Sequence, residues 1–122
     1  MKYVVLIYAN PRNWQHPLFL QYEDHAEEER TRLLAKFNAF NVELEASGQL
    51  LSGAPLAAPE TTKTITERNG VVSITDGPFA EAKEQLAGFL LVDCETIDDA
   101  YDIAKNFPDI KYAAVEIRPL AI

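Results

Sequence analysis

An α+β fold is predicted for this chain. Its order is β-α-β-(hairpin)-β-α-β, the ferredoxin-like pattern with a hairpin inserted after the second strand, an antiparallel sheet and both helices on one face. Three observations predict it. Short β-rich runs alternate with two stretches whose apolar residues recur at helical spacing. An Asn-Gly pair, Asn69-Gly70, joins two β-rich runs. The length of 122 residues, 48% of them hydrophobic and 25% charged, suits one domain over residues 1–122 with its own core.

Residues 2–8, KYVVLIY, are apolar on both sides, as a strand inside a sheet should be. Residues 9–23 carry Pro11 and Pro17, which break regular structure, yet hold Trp14, Phe19 and Tyr22. So aromatic a loop is expected to fold over the core, a partner chain or a ligand. Residues 24–47 form the first helix. Asp24 caps it with Glu27 three residues on, and Glu27, Glu28 and Glu29 suit its positive end. Leu33, Phe37, Phe40 and Leu44 step by four, three and four into one stripe, and Gly48 supplies the stop. Glu43 and Glu45 oppose the helix dipole at its other end.

Residues 49–56, QLLSGAPL, make a short strand broken by Gly53 and Pro55. A two-residue type I′ loop at Asn69-Gly70 sets the hairpin register: Arg68 faces Val71, Ile65 faces Ile74, and Lys63 faces Asp76. Alternation then places Val72, Ile74 and Asp76 on one apolar side, so Asp76 is expected to point toward the core. Residues 86–94 form a buried strand in which Gly88 marks a bulge or a close backbone approach. Thr96 with Asp99 opens the second helix, whose apolar side is Ala100, Ile103, Ala104 and Phe107, and Pro108 ends it. Residues 112–118 alternate Val115 and Ile117 with Glu116 and Arg118, and Pro119 closes that last strand. Because Tyr3, Val5 and Ile7 alternate with Val4, Leu6 and Tyr8, the sheet face without helices is apolar too. A second copy covering it predicts a symmetric homodimer.

Charge and cysteine usage narrow the function classes. A formal charge of −8 repels phosphate backbones, so nucleic acid is a poor partner. The opening apolar run is too short for a signal peptide, and no window is long enough to span a membrane. The lone Cys94 has no partner for an intrachain bridge and reads as a small core residue in the 86–94 strand, which fits a reducing, cytoplasmic setting. His16 and His25 are not at metal-ligand spacing and no cysteine cluster accompanies them, so no metal site is predicted. No phosphate-binding loop, dinucleotide fingerprint or nucleophile elbow occurs, so no bound cofactor is expected.

The stretch TDGPFAEAKEQLAGF, residues 75–89, concentrates the ionisable groups. Gly77 permits a positive φ, Pro78 fixes its own, and Phe79 reads as a core plug. Asp76 is the leading candidate for acid or base: a carboxylate desolvated in a cleft moves protons near neutral pH. Lys83 and Glu81 are its candidate assistants. Against this stands the simpler role of Asp before Gly-Pro, capping its own turn. Lys63, Glu84, Tyr8, Ser52 and His25 are candidate ligand contacts; a ring of ion pairs holding the joint or a dimer is the competing account of the charges.

TDGPFAEAKEQLAGFLLVDCETIDDA resembles the signature of the DGPF branch of the YCII-related proteins. The likeness extends over nearly the whole chain, through KYVVLIY, ASGQLLSGAPL and the terminal VEIRPL. It implies a ferredoxin-like fold paired into a dimeric α/β barrel, two sheets face to face. It implies little about reaction. Other members carry a His/Asp pair proposed as catalytic; at those positions this chain has Phe37 and Ala46, so that chemistry is not carried over. Two functions follow. One is a homodimer with a small-molecule pocket near the DGPF turn and carboxylate-based acid/base chemistry. The other is a non-catalytic ligand-binding or regulatory domain, like those that accompany sigma factors.

Overall fold

The computed structural model describes residues 1–10, 27–80, 82–108, 110 and 113–121. The Asp24 cap, the aromatic loop with His16 and His25, and Glu81 therefore lie outside the described residues. Strands β1 (Lys2–Ala9), β2 (Leu50–Pro55), β5 (Gln85–Asp93) and β6 (Ala113–Pro119) form one antiparallel sheet in the order β2-β5-β1-β6. With α1 (Glu27–Ala46) after β1 and α2 (Ile97–Lys105) after β5, this is the ferredoxin-like arrangement. Among the described residues, strands β3 (Lys63–Arg68) and β4 (Val71–Asp76) pair only with each other.

Alternation along β1 sets the layers. Tyr3, Val5 and Ile7 are buried, with Val92 and Leu90 level with Tyr3 and Val5 on the neighbouring strand. Leu44 from α1 and Ala100 and Ile103 from α2 close over Tyr3, Val5 and Val92. Phe37 and Phe107 close over Ile7, and the Phe107 ring meets Phe37 and Phe40 edge-on, with centroids 5.4 and 5.8 Å apart. The stripe read along α1 is the buried one: Leu33, Phe37 and Leu44 face the core, with Phe40 half-buried between them.

Helix α1 stops at Gly48, whose φ of +75° suits a residue without a Cβ and whose N–H donates to the Glu45 carbonyl. Helix α2 opens on a reciprocal cap: the Asp99 N–H donates to Thr96 Oγ1, and the Thr96 N–H donates to the Asp99 carboxylate. Gly88 satisfies both sequence expectations. The pairing skips Ala87 between Ile7↔Gly88 and Tyr8↔Leu86, which is a bulge. A Cβ at Gly88 would also lie 3.0 Å from the Ala54 carbonyl. Cys94 is buried as expected, but just past the end of β5 rather than within it.

The hairpin has the register read from the sequence, with Lys63↔Asp76, Ile65↔Ile74 and Arg68↔Val71, around Asn69 and Gly70 at φ of 53° and 78°. Its orientation differs from expectation. Ile65, Val72 and Ile74 are 66%, 61% and 67% exposed, so the apolar side faces away from the chain's own core. Periodicity fixes which residues share a side of a strand but not which way an inserted hairpin turns.

Candidate functional site

The DGPF turn is held by neutral hydrogen bonds. The Gly77 N–H donates to the Thr62 carbonyl at 2.8 Å, and the Thr64 hydroxyl donates to the Gly77 carbonyl at 2.7 Å. Gly77 has φ of +94°, the left-handed geometry the turn needs. Past the turn, the Gln85 amide donates to the carbonyls of Ala80 and Ala82, tying both to the start of β5.

Asp76 and Lys63 form the ion pair the register predicts. The carboxylate is not turned inward: the Asp76 side chain is 82% exposed and that of Lys63 65%. Asp76 does not cap its turn in the described hydrogen bonds either; Lys63 is its partner. Phe79 is 77% exposed rather than a core plug. Lys83 and Glu84 are exposed on the stretch leading into β5, and neither bonds to Asp76. Tyr8 and Ser52 lie on the sheet face opposite the helices, where the Tyr8 hydroxyl donates to Glu116 at 3.3 Å. Burial, then the Glu116 carboxylate, push the Tyr8 phenol above its usual range, and Arg118 draws it partly back. The candidates thus separate into a hairpin root, a loop and an open sheet face, without converging on one cleft. His25 and Glu81 lie outside the described residues.

A different site emerges on the helix side of the sheet. A cavity of about 250 Å³ opens between α1 and the β2–β5 edge, walled by Phe37, Phe40, Phe107 and Leu90. Gly53 and Gly88 line it, and both belong to the helix-facing register: Gly53 pairs with Leu90, and Gly88 with Ile7. A side chain would be tight at Gly88 and would force a shift at Gly53. A Cβ on Gly53 would sit 2.8 Å from Leu90 Cδ2 and 2.9 Å from the Phe89 carbonyl oxygen. The glycines allow β2 and β5 to approach closely and leave those two positions under α1 without side chains. Asn41 and Glu45 supply side-chain polar groups at its edge.

None of the described residues of 76–84 lines this cavity, which thus differs from the expected site near the DGPF turn. Sequence reasoning missed it, although two signals were present. Phe37, Asn41 and Glu45 step by four along α1, a row that changes from aromatic to polar beside the buried stripe. Gly53 and Gly88 also interrupt two strands otherwise rich in bulky residues. A second cleft, of about 220 Å³ between the end of α1 and α2, is lined by Glu43, Ser47, Gln49, Asp99, Asp102 and Asn106 among others. Among the described residues, no group of three His, Cys, Asp or Glu side chains is arranged to hold a metal ion.

Comparison with known proteins places these features. A protein of Rhizobium meliloti (strain 1021), named only as uncharacterized protein R00369, is 34% identical over 99 residues, 80% of each chain. The 5-chloro-2-hydroxyhydroquinone dehydrochlorinase TftG of Burkholderia phenoliruptrix AC1100, solved in complex with 2,5-dihydroxybenzoquinone, is similar in structure at 16% identity. That similarity covers 98% of this chain and 93% of TftG, with a TM-score of 0.49. The YCII-related domain matches residues 1–121, so the chain belongs to the YCII-related family.

Proposed function

We propose that this protein is a homodimer that binds a small, largely apolar molecule in the cavity between α1 and the β2–β5 edge. One observation carries the reading: an apolar hollow of about 250 Å³, lined by Phe37, Phe40 and Phe107 among other apolar residues and kept open by Gly53 and Gly88, with Asn41 and Glu45 at its edge. Ligand pockets are apolar hollows with a few placed polar groups, and this volume lies just below their usual range of roughly 300–1,000 Å³. The ligand is therefore about the size of one substituted ring. An ionised carboxylate only accepts hydrogen bonds, so Glu45 selects a ligand with a hydroxyl or amine donor and disfavours an anionic one. The reading is of a binding site. Proton transfer centred on Asp76 has no support in the single chain, where that carboxylate is exposed and paired with Lys63.

The homodimer reading rests on the open sheet face. Val4, Leu6, Phe89 and Leu91 form its half-buried apolar centre, while Glu116 and Arg118 offset each other along β6. A second copy is the natural cover, because an isologous contact pairs such a face with itself. Leu6→Arg is expected to abolish association in sedimentation equilibrium.

Nuclear magnetic resonance titration with phenol, aniline and benzoate tests the cavity. Saturable shifts are expected in α1, β2 and β5 with phenol and aniline, and weaker ones with benzoate. Asn41 is exposed on α1, so Asn41→Trp should block the mouth and remove the shifts without unfolding the helix. Shifts that persist unchanged in Asn41→Trp, or none in the wild type, would refute the site.

A further inference from the structure

The β3–β4 hairpin holds branched apolar residues in the open. The pairs Lys63↔Asp76, Ile65↔Ile74 and Glu67↔Val72 share one side, and Thr64↔Thr75, Thr66↔Ser73 and Arg68↔Val71 share the other. Along β3 the half-buried residues are Thr64 and Thr66, whereas Ile65 is 66% exposed. Thr64 and Thr66 are thus the least exposed residues of β3, every residue of β4 is exposed, and the side with Ile65, Val72 and Ile74 lies open to solvent. Strands covered by their own domain show the opposite pattern.

We propose that this hairpin is an arm whose apolar side packs against a second copy of the chain. This rests on the homodimer reading above and adds a second, separate contact to it. Size and charge both favour that occupant. Three branched side chains at this exposure offer on the order of 300 Å² of apolar surface, the scale at which a patch marks an interaction site. That is too little for one partner's share of a stable interface, about 800 Å², so the arm acts with another contact. In a two-fold dimer the arm contact occurs twice, because each copy both gives and receives an arm.

Charge points the same way. The chain carries a formal −8, yet within the hairpin Lys63 and Arg68 offset Glu67 and Asp76. The arm is a neutral projection on an acidic molecule, able to approach another acidic copy without repulsion. The exposed Lys63–Asp76 pair lies at the root of the apolar side and forms a polar rim to it. Phe79 is 77% exposed two residues past Gly77, which is bonded to Thr62 and Thr64 at that root.

The test is sedimentation equilibrium of the full chain carrying Ile65→Thr and Ile74→Thr, beside wild type and Leu6→Arg. Threonine keeps strand propensity, so the hairpin amide exchange of the double variant is expected to match that of the wild-type chain diluted to monomer. The dimer dissociation constant is expected to rise at least tenfold in the double variant. Ile65→Leu with Ile74→Leu, which retains the apolar surface, should restore most of it. An unchanged constant in the double variant, with Leu6→Arg still monomeric, would overturn the arm and leave the sheet-face dimer standing. A wild-type chain that stays monomeric at all concentrations overturns both. Asn41→Trp is expected to leave association unchanged, which separates this test from that of the cavity.

Discussion

Asp76 illustrates how exposure decides between roles for one side chain. Its ion pair with Lys63 joins two groups that are 82% and 65% exposed, and such pairs contribute about 0–1 kcal/mol. Asp76→Asn, measured by urea unfolding of the monomer near pH 7, is therefore expected to cost less than about 1 kcal/mol. A larger loss would mean that the carboxylate supports more than Lys63. Cys94 is the contrasting residue. Burial, then the charges of Asp99 and Asp93, push its thiol above the ordinary 9.0, and the N-terminal amine draws it partly back. A raised thiol pKa means that the fold prefers the neutral form. Its contribution to stability is whole below pH 9.0 and is lost as pH rises through the folded value. Urea unfolding between about pH 8 and pH 10 should show a steeper loss for wild type than for Cys94→Ala. The two proteins share Tyr8, whose own raised phenol cancels from the comparison. Equal slopes would mean that the thiol ionises as easily in the folded chain as in the unfolded one.

At the scale of elements, α1 separates what the sequence reveals from what it leaves open. Its stripe was legible because the helix has one face to bury, and Leu33, Phe37 and Leu44 are the residues buried. Phe37→Ala is expected to cost about 3–5 kcal/mol, since it removes a ring from the Ile7–Phe107 cluster and leaves a void. Val42→Ala, at a position 67% exposed, should change stability by no more than about 0.5 kcal/mol. Chemical denaturation of both distinguishes a stripe that carries the core from general apolar content. The hairpin register was legible for a similar reason: Asn69-Gly70 fixes a two-residue loop, and the loop fixes every pair. The direction of its apolar side was not legible. Val72 and Ile74 have the same period whether they meet the chain's own core or project from it. The site was less legible still. The cavity depends on Gly53 and Gly88 coming under α1 from strands far apart in sequence, and strand pairing brings them there. The cluster of charges at 76–84 drew attention in the sequence, yet apart from the exposed Lys63–Asp76 pair the bonds to Gly77, Ala80 and Ala82 are neutral, from Thr64 and Gln85.

At the scale of the whole molecule, charge and apolar surface occupy different places. Helices α1 and α2 carry eight acidic residues against four basic ones, and they lie together on one face of the sheet. The opposite face balances Glu116 with Arg118, and the hairpin balances its own charges. Two copies meeting through the open face and the arms would therefore touch at neutral surfaces, while their acidic helices point outward. Net repulsion between two chains of formal charge −8 still acts through solvent at low ionic strength. Raising salt from about 0.01 M to about 0.15 M shortens the screening length from about 30 Å to about 8 Å. That removes the long-range repulsion and has little effect on apolar contact. Dimerisation measured by sedimentation should accordingly tighten with salt over this range. Association that weakens with salt would instead place attractive ion pairs at the interface, and the contact would have to run through the charged helices rather than through Leu6, Phe89 and the hairpin.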